Sequence, residues 1–117
     1  DILCLTLPGG TGTRHLVNAA VLEALGSRGT LVNVARGSIV DEAALVAALQ
    51  SGALGAAALD VFADEPRVPP ALLAMENVVL QPHVGSATEE TRDAMGQLVI
   101  DNLTAHFAGL PLPTRVV

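Results

Sequence analysis

The sequence predicts an α/β fold built on a parallel sheet, and three observations carry that expectation. Short apolar runs alternate with longer amphipathic stretches. The runs lack the polar alternation of a half-exposed strand, as expected for strands buried on both faces. Each pair of runs is separated by enough chain to hold a helix, the arrangement of βαβ units.

Taken in order, residues 2–7 (ILCLTL) form a continuous apolar run closed by Pro8-Gly9-Gly10. Asn18 is placed to cap a helix carrying Val21, Leu22 and Leu25, which stops in the glycines of residues 26–29. Residues 30–35 (TLVNVA) read as a second strand, closed by Gly37. Asp41 caps a second helix through Ala44, Leu45, Ala48 and Leu49, with Gly52 as its C′ residue. Residues 55–62 (GAAALDVF) form a third buried strand. Pro66, Pro69 and Pro70 make an irregular link with one helical turn around residues 71–75. Residues 77–81 (NVVLQ) are a fourth strand, ended by Pro82-His83. Ser86-x-x-Glu89 is a capping-box pattern that opens a long helix over residues 88–108. Met95, Leu98, Val99, Leu103 and Phe107 share one stripe of that helix, which would be about 30 Å long.

Composition narrows the classes of function. The 117 residues suffice for one small domain. The first residue is not Met and the opening residues already read as a strand, so the expectation is a piece of a larger protein. With 50% apolar and 15% charged residues, the chain is too hydrophobic for disorder and too broken up for a membrane span. Twelve acidic residues stand against six basic ones, a net charge of −6, and all six basic residues are arginine. A P-loop lysine, a Schiff-base lysine and a phospho-receiver lysine are therefore all excluded within this chain. Nucleic-acid binding lacks both its cationic footprint and its aromatic platforms, aromatics being 2%. The single Cys4 sits in an apolar run and is expected to be a small buried hydrophobe, consistent with a reducing, cytoplasmic setting. No His, Asp or Glu spacing suggests a metal.

Ligands of an open parallel sheet bind outside the carboxyl ends of its strands. The polar residues that follow the four runs are Pro8, Gly9, Gly10 and Thr13; then Arg36, Gly37 and Ser38; then Asp60, Asp64 and Glu65; then His83, Gly85 and Ser86. Arginine can hold a carboxylate through two parallel hydrogen bonds. Histidine exchanges a proton near neutrality, and a carboxylate within reach, such as Glu65, favours its protonated, donating form. Each residue also has a plainer explanation: Arg36 as a surface ion-pair partner, Glu65 as a loop acid, His83 as a packed turn residue. Asp60 is harder to dismiss, because a carboxylate in an apolar strand needs a structural partner or a ligand. Glu89-Glu90 and Asp41-Glu42 suit helix N-termini through the dipole, a structural role.

The joint order is more specific than any one residue. NVARG-x-x-VD at residues 33–41 is followed by GAA-x-x-DVF-x-x-EP at residues 55–66 and then by PHVGSAT at residues 82–88. Together with the opening LTLPGGTGTRHLVN, this resembles the D-isomer-specific 2-hydroxyacid dehydrogenases over essentially the whole chain. The GSATEETR stretch is most similar to members that reduce glyoxylate or hydroxypyruvate. The resemblance implies the second half of a Rossmann-like doubly wound parallel sheet, followed by a long C-terminal helix. Residues 1–87 would be the C-terminal half of an NAD(P)-binding domain, and residues 88–117 a helix and tail returning toward a substrate domain.

It also implies roles. Arg36 would bind the substrate carboxylate and carbonyl, His83 would be the acid/base, and Glu65 its paired carboxylate. Pro8, Thr13, Val34, Ala35, Arg36, Asp60, His83, Gly85 and Ser86 would contact the cofactor, NAD or NADP. The parent would reduce a small 2-oxo acid to a D-2-hydroxy acid as a cytoplasmic homodimer. The family's G-x-G-x-x-G does not occur in this stretch, and Gly10 stands where the family commonly has threonine. Two other readings compete: a non-catalytic nucleotide-sensing or dimerisation module of the same fold, and a small α/β signalling domain. Joint retention of Arg36, Glu65 and His83 favours the enzyme.

Overall fold

The computed structural model describes residues 1–116, with Val117 of the expected tail outside the described residues. The chain divides into two compact units, one spanning Asp1–His83 and one beginning at Val84. In the first, strands β1 (Ile2–Leu5), β2 (Thr30–Asn33), β3 (Ala56–Leu59) and β4 (Val78–Leu80) form one sheet in the order β1-β2-β3-β4. Every neighbouring pair is parallel, with Leu3 opposite Leu31, Leu31 opposite Ala57 and Ala57 opposite Val78. Helices α1 (Ala19–Leu25), α2 (Glu42–Ser51) and α3 (Pro70–Leu73) fill the three crossovers. The α/β class and the Rossmann-like parallel sheet are as expected.

The expected helix boundaries rest on visible caps. The Asn18 side chain accepts from the Ala20 and Val21 N–H groups, and Asp41 accepts from Ala44. Gly52 ends α2 in the left-handed region, φ 73°, where a Cβ would be strained. The strands are shorter than their apolar runs, because the ends of the runs turn away to build loops.

One expectation fails. The strands are not covered on both faces. Sequential order combined with right-handed crossovers puts every helix on the same side of the sheet. Leu3, Leu5, Leu31, Ala57, Leu59, Val78 and Leu80 pack there with Leu22, Leu45, Leu49 and Leu72 in one core. On the other face Ile2 and Val79 are exposed. Cys4, expected to be buried, lies on that same face and is exposed.

The second unit holds helix α4 (Glu89–Phe107), about 28 Å long. Its N-cap is Thr88, whose hydroxyl accepts from the Thr91 N–H, and not Ser86 as the capping-box pattern implied. Ser86 lies two residues outside the first helical turn, too far back to accept from its N–H groups. No residue of α4 is buried, and its apolar stripe is exposed. Asn102 ties the tail back to the helix by donating to the Thr114 hydroxyl at 2.8 Å and accepting from the Thr114 N–H at 3.3 Å. None of the helices is long and apolar enough to cross a membrane among the described residues.

Candidate functional site at the carboxyl edge of the sheet

The loops after β1 and β2 line an open cleft of about 660 Å³ with Thr6–Gly10, Val34–Arg36 and Ser38. Its shape comes from side chains that hold backbone. Asn33, 1% exposed at the end of β2, accepts from the Ala35 N–H through Oδ1 and donates to the Arg36 carbonyl through Nδ2. This Asx-type turn ends the strand and presents Val34 to solvent. Across the cleft, the Thr13 hydroxyl donates to the Pro8 and Gly10 carbonyls at 3.0 and 3.3 Å, bracing the loop after β1.

The aliphatic stem of Arg36 lies against Gly9, where a Cβ would stand 2.9 Å from Arg36 Cγ. Its Nη1 donates to the Ala35 carbonyl, and a guanidinium carries further donors in a fork that matches a carboxylate. At Gly10 the main chain is open to the cleft, since a Cβ there would meet nothing within 4 Å.

The loops after β3 and β4 supply titratable groups instead. Gln81 extends β4 by donating its N–H to the Leu59 carbonyl, which places His83 beside the loop that follows β3. His83 has φ 57°, a left-handed conformation unusual for a non-glycine residue and frequent where a side chain must be aimed. Its Nδ1 stands 2.7 Å from Glu65 Oε2. Glu65 Oε1 accepts from the Phe62 N–H at 3.0 Å, so both carboxylate oxygens are engaged. The His83 hydrogen bond, aided by that N–H, holds the Glu65 carboxyl below the usual carboxylate range. Desolvation and the charge of Asp60 oppose the shift.

An ionised Glu65 keeps the proton of His83 on Nδ1 and leaves Nε2 to give or take one. Beside the pair, a hollow of about 270 Å³ is walled by Phe62, Pro66, Val68, Leu73 and Leu80.

Asp60, 7% exposed, follows β3 directly, and its N–H donates to the Asn33 carbonyl. It therefore sits on the seam between the two edges. Of the residues expected to converge, Glu65 and His83 meet directly, whereas Arg36 lines the neighbouring cleft. Pro8, Val34 and Ala35 line the cleft with it. Gly85 and Ser86 belong to the second unit. The sequence reading gave no role to the side chain of Asn33, although an Asn two residues before the end of an apolar run is a recognisable Asx-turn signal.

Residues 1–85 match the family model described as D-isomer specific 2-hydroxyacid dehydrogenase, NAD binding domain. A glyoxylate/hydroxypyruvate reductase A of Arabidopsis thaliana is 56% identical over all 117 residues, which span 37% of that protein. A 2-ketogluconate reductase of Gluconobacter oxydans is 49% identical over the whole chain and 38% of its own length. Among solved structures, an NADPH-dependent glyoxylate/hydroxypyruvate reductase of Sinorhizobium meliloti superposes with a TM-score of 0.94 at 54% identity, over 100% of this chain and 37% of that one. The chain thus spans well under half the length of these relatives.

Proposed function

Because the chain belongs to the D-isomer specific 2-hydroxyacid dehydrogenases, we propose that the intact protein is an NAD(P)-dependent oxidoreductase reducing a small 2-oxo acid of the glyoxylate or hydroxypyruvate type. The product would be the D-2-hydroxy acid. The observation that carries this reading is the 2.7 Å contact between His83 and Glu65 at the strand ends. Relatives of the same kind, reductases of glyoxylate, hydroxypyruvate and 2-ketogluconate, support it.

A reduced nicotinamide, NADH or NADPH, would supply the hydride when bound. Pro8, Val34 and Ala35 would hold that cofactor along the first cleft, and Thr13, Asp60, Gly85 and Ser86 are assigned to it on family resemblance. Arg36, which lines that cleft, would clamp the substrate carboxylate and polarise the carbonyl. His83 would protonate the carbonyl oxygen from Nε2, and Glu65 would stabilise the imidazolium before transfer. In the same reading, residues 1–87 complete a nucleotide-binding domain and residues 88–117 return toward a substrate domain. The protein would act in the cytoplasm as a homodimer.

The test is oxidation of NADH and of NADPH by the intact protein with glyoxylate, hydroxypyruvate or 2-ketogluconate. Substrate-dependent oxidation with at least one pair is expected. No oxidation with any pair, by a folded protein, would overturn the assignment.

A further inference from the structure

Glu42 stands in the first turn of α2, where an acidic residue is ordinarily explained by the helix dipole. Its side chain does something more specific. Oε2 accepts the Ala63 N–H at 3.1 Å, across 21 residues of sequence. Ala63 lies in the loop between β3 and Glu65, and the preceding N–H, that of Phe62, donates to Glu65 Oε1 at 3.0 Å. Two consecutive amides are thus held by two carboxylates, one from α2 and one from within the loop itself. The Phe62–Ala63 peptide also rests directly on Gly37, where any Cβ would overlap the Phe62 carbonyl group. The loop is therefore pinned from below by Gly37 and from the side by Glu42. Its remaining carboxylate oxygen, Glu65 Oε2, reaches His83 Nδ1.

We infer that Glu42 is a positioning residue for the Glu65–His83 pair, fixing the loop whose Phe62 amide orients the Glu65 carboxylate. The inference rests on the acid/base role proposed for His83. Glu42 touches neither the substrate nor the cofactor in this account. It acts through the Ala63 amide, so that the carboxylate meets the imidazole without first having to order its loop. Misplacement of a reacting group by about 1 Å can cost up to about a hundredfold in rate.

Two conservative variants separate this role from a dipole role, because the two accounts rank them oppositely. Glu42→Gln removes the charge but keeps a carbonyl oxygen at the same reach, so the Ala63 amide stays held. Glu42→Asp keeps the charge at the helix N-terminus but is one methylene too short to reach Ala63. Positioning predicts that E42Q retains most of the turnover, whereas E42D and Glu42→Ala lose roughly tenfold or more in kcat. A dipole role predicts the reverse order for E42Q and E42D.

The second readout does not depend on activity: the hydrogen-bonded Nδ1 proton of His83, observed by NMR on the intact protein and assigned with a His83 variant. It should persist in the wild type and E42Q and be shifted or lost in E42D and E42A. If E42D matches the wild type in this signal, or E42Q behaves like E42A, the inference is overturned. If the NMR pattern holds while no 2-oxo acid is reduced, the positioning stands and the proposed reaction fails.

Discussion

At the ends of β1 and β2 the chain presents backbone held by side chains; at the ends of β3 and β4 it presents side chains held by backbone. Asn33 and Thr13 spend their polar atoms on nearby carbonyls and amides, which shapes the loops that line the first cleft with Arg36. Glu65 takes a main-chain amide on one oxygen and offers the other to His83. The first edge fits a ligand that must be held and oriented. The second fits a group that must move a proton. One strand-end surface thus sets a loop-lined cleft beside a histidine–carboxylate pair.

That division can be broken from either side. On the chemical edge, Glu65→Gln keeps an acceptor for the Phe62 amide but removes the charge facing His83. We expect kcat to fall about ten- to a hundredfold, toward the lower range for acid–base groups, read as steady-state reduction by the intact protein. The same variant has a signature in acid. The Glu65 carboxyl is held below its ordinary value, so the pair contributes stability above the unfolded carboxylate pKa of about 4.3. That contribution is lost as pH falls through Glu65's own, lower value. Urea midpoints measured from neutrality down through this range should fall more steeply for the wild type than for Glu65→Gln; equal slopes would show that the pair adds no charge-dependent stability.

On the binding edge, Asn33→Ala leaves the buried Ala35 amide and the part-buried Arg36 carbonyl without their partner. The expected cost is about 1–3 kcal/mol of stability, with KM for the cofactor raised more than kcat is lowered. A change within about 0.5 kcal/mol would mean that the turn holds itself without Asn33.

Much of this was legible in the sequence. All four strands and their order along the chain follow from the apolar runs, and Asn18, Asp41 and Gly52 cap helices as their types suggest. Strand ends are not legible in the apolar runs, because apolarity does not register where a side chain such as Asn33 captures an amide two residues on. The exposure of Cys4 has a topological reason: which face the helices cover depends on strand order, not on the run around Cys4. Near the long helix two hydroxyl residues compete for the cap, and Thr88, with Thr91 three residues on, displaces Ser86. The partnership of Glu65 and His83 was foreseeable from their joint occurrence within a recognisable motif order. The Glu42–Ala63 bond was not, because 21 residues separate the two and a helix-terminal acid already has a sufficient local explanation.

In the proposed reaction His83, aimed by a left-handed backbone and held by Glu65, is the proton donor. The most direct test of that role is the turnover of a 2-oxo acid by the intact protein carrying His83→Ala, with folding checked by thermal unfolding. The account expects a loss of at least about a hundredfold in kcat with a cooperative unfolding transition retained. Turnover near that of the wild type would contradict it.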